Sequence, residues 1–240
     1  MQASECDSEE LLLLAKEARK YPFDVLYFAD SLGNMNSEKV QNVIELLRTH
    51  WKGALGIHAH DNIGLGLSNT LYALNKGVTW VDSTVTGMGR GAGNVKTELL
   101  AIEMSKLRSS NCNMKPIMAL IANSFKPMKE KYGWGTNPFY YLSGINSVHP
   151  TYVQEMMADS RYNEEDIIAV IEHLGKEGGK KYSKNILGEA LNYYSKKPYG
   201  NWSPVKLFEG KEVILIGSGP GASVHKKAIE LFIKDSKPLV

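Results

Sequence analysis

Two histidines one residue apart, His58 and His60, are the side chains of this sequence best suited to chemistry. They end the apolar run Ala54-Leu55-Gly56-Ile57-His58, which reads as a buried strand. Successive side chains on a strand alternate in direction, so both imidazoles share one face and Ala59 takes the other. Two neutral imidazoles side by side form a ready pair of ligands for a divalent metal. One added carboxylate would complete a facial triad whose open positions could take substrate oxygens. The ordinary alternative is two hydrogen-bonded histidines in a strand-to-loop turn. Strand position and the nearby glycine-rich segment Gly87-Met88-Gly89-Arg90-Gly91-Ala92-Gly93-Asn94 favour a site.

The elements that must hold this pair repeat. Asp7-Ser8-Glu9-Glu10 opens a helix with acidic residues at its positive end, and Asp24 to Asp30 is a mostly apolar strand. Asn36-Ser37-Glu38 caps a helix from Val40 to His50, with Val43, Ile44 and Leu47 on one face. A helix through Leu67, Leu71 and Leu74 follows the histidine strand, then a strand Val78–Asp82, then the glycine segment and a helix to about Leu107. Strand ends near Ser4, Asp30, His60 and Thr84 are one βα unit apart, the spacing of a parallel sheet. The pattern fits a TIM barrel, where chemistry sits at the carboxyl ends of strands, but supplies only about half of its eight strands. Met1-Gln2-Ala3-Ser4 reads as the tail of a strand, so the chain is expected to begin within a domain.

Beyond Asn111 the pattern turns helical, from Met114 to Lys131 and again from Asn163 onward. Lys197 to Pro204 is punctuated like a linker. Glu212 to Gly217 reads as a strand, and Ala222 to Ile233 as a helix. The expected α/β organisation is therefore half a barrel over 1–108, a helical extension and linker over 109–205, and the first βα unit of a Rossmann-like domain over 206–240. Between that strand and helix, Gly217, Gly219 and Gly221 are placed as a phosphate-cradling turn would be, or as a plain glycine-rich turn.

Composition sets limits. A chain of 240 residues with 43% hydrophobic content can build a core, and a net charge of +2 without charge runs argues against nucleic acid or an anionic membrane as main partner. Cys6 and Cys112 allow at most one disulfide, so a reducing, cytoplasmic setting is expected. The longest apolar run, Leu11 to Ala15, cannot span a bilayer.

The ordered series His58-Ala59-His60-Asp61-Asn62-Ile63-Gly64-Leu65-Gly66, Asn69, Gly77, Val81-Asp82, Gly87 to Asn94 and Glu98 resembles the HMG-CoA-lyase-like (DRE-TIM) metallolyases, the pyruvate carboxyltransferase type, and within them the 4-hydroxy-2-oxovalerate aldolases. The resemblance runs from Met1 to about Leu107. It implies strands five to eight of a TIM barrel, with His58 and His60 as ligands of a divalent cation, Mn²⁺ or Mg²⁺. The reaction implied is aldol cleavage or condensation of a small 2-oxo acid through a pyruvate enolate. Asn94 would be a metal-associated group or, alternatively, a helix cap. Asp30 and Ser31 match a substrate-binding pair in which the serine helps hold a carboxylate, although a turn hydroxyl is the ordinary role of such a serine. The family's first-strand arginine, aspartate ligand and catalytic base would lie upstream of Met1, so the isolated chain is expected to be inactive. Its open sheet edges would need the missing strands, a second copy or another chain. A helical-domain tyrosine assists catalysis in the aldolases, and candidates stand in Phe139-Tyr140-Tyr141 and near His149-Pro150-Thr151-Tyr152; His149 reads as structural. Competing readings are an amidohydrolase-like metal hydrolase, with Asp82 as the late aspartate, and a non-catalytic scaffold that kept the fold.

Overall fold

The computed structural model describes residues 2–194, 208–216 and 224–238. The chain divides into two compact units, Met1–Ser195 and Lys196–Val240.

In the first unit, strands β1 (Val25–Asp30), β2 (Ala54–Ala59) and β3 (Trp80–Val81) form a parallel sheet in the order β1-β2-β3. Helices α1 (Ser8–Ala18), α2 (Ser37–His50), α3 (Gly66–Asn75) and α4 (Thr97–Leu107) alternate with the strands. Local chemistry starts the first two: Asp7 and Glu10 form a reciprocal capping box on α1, and the Asn36 side chain accepts from the Lys39 N–H on α2. Strand alternation then assigns the faces. Phe28, Leu55, Ile57 and Ala59 point under the helices and join Leu11, Ala15, Val40, Val43, Ile44 and Leu47 in one core. The pairing Ala29↔His58 and Gly56↔Trp80 puts Tyr27, His58 and Trp80 on the opposite face. There Tyr27 is 39% exposed and Trp80 54% exposed.

Two expectations need correction. The N-terminal residues form no strand: Gln2 adopts a left-handed conformation (φ 54°) and Ala3–Glu5 coil into a 3-10 turn. The described sheet therefore has three strands rather than four. The third is shorter than Val78–Asp82, because the Val78 N–H is spent on the Ala73 carbonyl at the end of α3. The helical pattern over Met114–Lys131 is observed: α5 (Lys115–Leu120) and α6 (Lys126–Tyr132) run on through a π turn at Ile121–Phe125. Pro127 lacks the N–H that a regular helix would use, and a widened turn just before it absorbs the break.

Helices α7 (Pro138–Ile145), α8 (Pro150–Ala158), α9 (Glu164–Glu177) and α10 (Lys184–Tyr194) complete the unit. Their core holds Tyr140, Tyr152, Val153, Met156, Val170, Ile171 and Leu174, and Ala92 of the glycine segment belongs to it. The glycine segment, which follows β3, thus also packs into the core of α7–α10.

In the second unit helix α11 (Lys226–Ser236) forms, but residues 212–216 make no strand and Val213 is only a lone bridge residue. Leu215 is 95% exposed, unlike a residue on the apolar face of a buried strand. Gly217, Gly219 and Gly221 lie outside the described residues. Among the described residues no helix is long and apolar enough to cross a membrane.

Glu5 ties the N-terminal turn to the helical extension. Its carboxylate accepts from Asn34 Nδ2 at 3.0 Å and Ser147 Oγ at 3.2 Å, and pairs with Lys180 Nζ at 2.6 Å. Burial pushes the Glu5 pKa up, but Lys180, Asn34 and Ser147 outweigh it and hold it below the ordinary glutamate value. A carboxyl with a depressed folded-state pKa contributes stability above its unfolded pKa and loses it as pH falls through the folded one. Glu5→Gln is therefore expected to cost about 1–3 kcal/mol at neutral pH. The gap to wild type should close as pH falls below the glutamate range, read from denaturant midpoints across a pH series.

Candidate metal centre

Strand β2 delivers the histidine pair to the end of the sheet. Two residues beyond the aligned pair Gly56↔Trp80 come His58 and Asp82, and His58 Nδ1 lies 2.7 Å from Asp82 Oδ1. A carboxylate can only accept, so Nδ1 carries the proton and the neutral ring keeps its lone pair on Nε2. A carboxylate orienting an imidazole in this way is the arrangement that supports metal-ligating histidines. The Asp82 hydrogen bond raises the His58 pKa, and partial burial opposes it.

His60 differs. It is buried, and its ring stands edge-on to His58 with centroids 5.1 Å apart. Burial, then the neighbouring charges of His58 and Arg90, lower its pKa to about 4, so the ring is neutral at physiological pH. Its Nδ1 is buried with no hydrogen-bond partner. The backbone bridge partner of His60 is Asn94, whose Oδ1 is likewise buried without a partner. Buried polar atoms are normally satisfied, so two such atoms on paired residues mark a place where something else binds. An imidazole pair with an amide oxygen suits a borderline or hard divalent cation. Among the described residues no group of three or more His, Cys, Asp or Glu side chains is placed to hold a metal.

The alternative role for Asn94 is not the one observed. Lys96 occupies the N-cap of α4, and the Asn94 amide instead makes a long 3.4 Å contact to the Met88 carbonyl. Asp30 is buried and holds a loop: its two oxygens accept from the Asn34 and Met35 N–H groups at 3.1 and 3.0 Å. Ser31 follows it at the sheet's carboxyl end, where its Oγ accepts from the Gln2 N–H at 3.1 Å.

Glycine 93 fixes the loop above the histidines. It sits at φ +84°, and a Cβ there would collide with the Gly87 carbonyl. That close approach lets the Asn94 N–H reach Gly87 O and the Gly93 carbonyl receive the Asp61 N–H. Gly91 meets α7 and α8, since a Cβ on it would lie 2.9 Å from Pro150 Cβ and 3.2 Å from the Tyr140 ring.

Of the helical-domain candidates, Tyr140 packs on this loop, and burial raises its pKa. The Tyr152 hydroxyl is spent on the Lys181 carbonyl and the Ser183 N–H, whereas Tyr141 is half exposed. His149 caps α8 through a 3.4 Å contact from the Thr151 N–H, and burial together with Arg90 lowers its pKa to about 4. Two site residues were not assigned these places from the sequence. Asp82 was considered only as a hydrolase aspartate, although strand parity with Trp80 points it at His58. Arg90 was a member of the glycine pattern and nothing more.

A parallel sheet with βα repeats and paired histidines at a strand's carboxyl end defines an α/β protein of the kind found in TIM-barrel domains. Its sequence makes the family specific: the HMGL-like profile matches residues 1–122, and the chain belongs to that family. A curated relative named 4-hydroxy-2-oxovalerate aldolase from Carboxydothermus hydrogenoformans is 41% identical over 99 residues, 41% of this chain and 30% of the relative. One of the same name from Chloroflexus aurantiacus is 40% identical over 99 residues, 41% of this chain and 29% of the relative. These matches therefore span less than a third of the relatives' length. Among solved structures, the N-terminal domain of a candidate aldolase from Bacteroides vulgatus superposes with TM-score 0.58 at 36% identity, covering 67% of this chain and 52% of that one. The carboxyl transferase domain of Rhizobium etli pyruvate carboxylase, crystallised with 3-hydroxypyruvate, shares the fold with TM-score 0.59 at 14% identity over 92% of this chain and 39% of that one.

Two outcomes follow from the geometry. Asp82→Asn should lower the His58 pKa, read by NMR as an imidazole titration midpoint moved to lower pH, with the His149 titration unchanged. Gly93→Ala should cost on the order of 3 kcal/mol, from a strained φ and a clash with backbone, read as a lowered denaturation midpoint.

Proposed function

We propose that this chain supplies the histidine half of a divalent-metal-dependent aldolase or lyase site that cleaves or forms a C–C bond in a small 2-oxo acid. The observation that carries the reading is the His58–His60 pair, with Asp82 orienting one ring and buried, unpartnered polar atoms on His60 and Asn94. Membership in the HMGL-like family and relatives named as aldolases support the reaction class. Bound there, Mn²⁺ or Mg²⁺ would supply Lewis-acid stabilisation of negative charge developing on the keto oxygen. Asp82 holds His58 in the tautomer that leaves Nε2 available, and the buried environment keeps His60 neutral. The pinned glycine loop places Asn94 beside that pair.

In this reading the remaining carboxylate ligand and the catalytic base come from residues outside these 240. The short span of the chain on its relatives supports that division. So does the sheet face carrying Tyr27 and Trp80, which the described residues leave exposed. Cys6 and Cys112 are both free thiols, in keeping with a cytoplasmic enzyme.

In the complete enzyme, His58→Ala and His60→Ala should each lower Mn²⁺ affinity at least tenfold by calorimetry and abolish metal-dependent pyruvate release from 4-hydroxy-2-oxo acids. Unchanged Mn²⁺ affinity in both variants would overturn the assignment. The 240 residues alone should self-associate in light scattering and release no pyruvate. A monodisperse monomer with metal-dependent pyruvate release would show the site to be complete within the chain.

A further inference from the structure

Arg90 stands in the glycine loop, where its carbonyl accepts from the Gly93 N–H at 3.0 Å and the neighbouring Gly91 carbonyl accepts from the Gly135 N–H at 3.1 Å. Its guanidinium makes one hydrogen bond among the described residues, a long 3.4 Å contact to the Ser31 carbonyl, and no ion pair. Arg48 is a useful contrast, because it spends two guanidinium nitrogens on the Gly53 and Gly77 carbonyls to close a turn. Arg90 closes nothing comparable. It is accessible to solvent yet partly desolvated, and no carboxylate side chain offsets the resulting fall in its pKa. The contact to the Ser31 carbonyl sets its guanidinium beside Ser31, which follows Asp30 at the carboxyl end of β1, next to the end of β2 that carries the histidine pair.

A planar cation with unspent donors, fixed on a rigid loop beside a serine, is suited to grip a carboxylate with two parallel hydrogen bonds. We infer that Arg90 is a substrate-binding residue that holds the carboxylate of the 2-oxo acid at the Ser31 end of the site. This rests on the proposed metallolyase reading for the identity of the ligand. A carboxylate seated between the histidine pair and Ser31 would lie within the reach of Arg90, and its negative charge would meet a partner not already committed to the fold. Arg90 thereby selects 2-oxo acids over neutral dicarbonyl compounds of the same size.

The test compares pyruvate with uncharged 2,3-butanedione as ligands of the complete enzyme, with Mn²⁺ and metal-free, by calorimetry or ligand-observed NMR. Arg90→Gln should weaken pyruvate binding about tenfold to a hundredfold, leaving 2,3-butanedione binding and Mn²⁺ affinity as in wild type. Arg90→Lys, which keeps the charge but not the fork, should recover part of the loss. Pyruvate bound equally well by wild type and Arg90→Gln would overturn the inference. So would a loss confined to 4-hydroxy-2-oxo acids bearing a second carboxylate, since Arg90 would then be reading a distal group. The metal-free arm separates this result from the metal reading: unchanged Mn²⁺ affinity in His58→Ala and His60→Ala removes that reading, while a pyruvate loss specific to Arg90→Gln without metal sustains the clamp.

Discussion

Main-chain hydrogen bonds clamp the glycine loop onto the end of β2: Asp61 N–H to Gly93, Val95 N–H to Ala59 and, within the loop, Asn94 N–H to Gly87. These are backbone contacts at van der Waals limits, possible only because residue 93 lacks a side chain. From them follow the placement of Asn94 beside His60, the presentation of Arg90 toward Ser31, and the seat of Ala92 in the helical extension's core. Trp134 reinforces the same junction by donating its indole N–H to the Thr86 carbonyl at 3.2 Å. Loosening this loop would disturb ligand geometry and domain packing together.

The two histidines illustrate how one strand face can carry two different electrostatic settings. His58 faces a carboxylate and is drawn toward protonation; His60, two residues on and more buried, meets burial and positive neighbours and is kept neutral. A lone pair for coordination is therefore secured at His60 by desolvation and at His58 by tautomer. These are separate physical means, and a substitution that disrupts one leaves the other in place.

Much of this arrangement was legible in the sequence because it rests on local periodicity. The 3.6-residue pattern of Val40, Val43, Ile44 and Leu47 gave α2, and alternation along Ala54–His58 put both imidazoles on one side. The family resemblance also read correctly from the His58-to-Glu98 series. What failed was decided by distant partners. The N-terminal residues lacked a strand because Glu5 answers to Asn34, Ser147 and Lys180. The run after Glu212 lacks one and is largely exposed among the described residues, Leu215 to 95%. The π turn between α5 and α6 has a local cause in Pro127, whose missing donor is visible in the sequence. Asp82 needed the register between β2 and β3, and Arg90 needed the whole mouth, so neither role was visible along the chain alone.

The Glu5 network also has a consequence in time. Asn34 becomes available early in synthesis, but Ser147 lies 142 residues further along the chain than Glu5, and Lys180 comes later still. At about 5–20 residues per second, the N-terminal turn waits roughly ten to forty seconds for its last partner to leave the ribosome. Until then Glu5 remains hydrated or finds temporary partners, and the α1–β1 region begins folding without its final anchor. The charged contact that fastens the beginning of the chain is thus among the last to be made, so it acts as a latch on a structure already formed rather than as a seed for it.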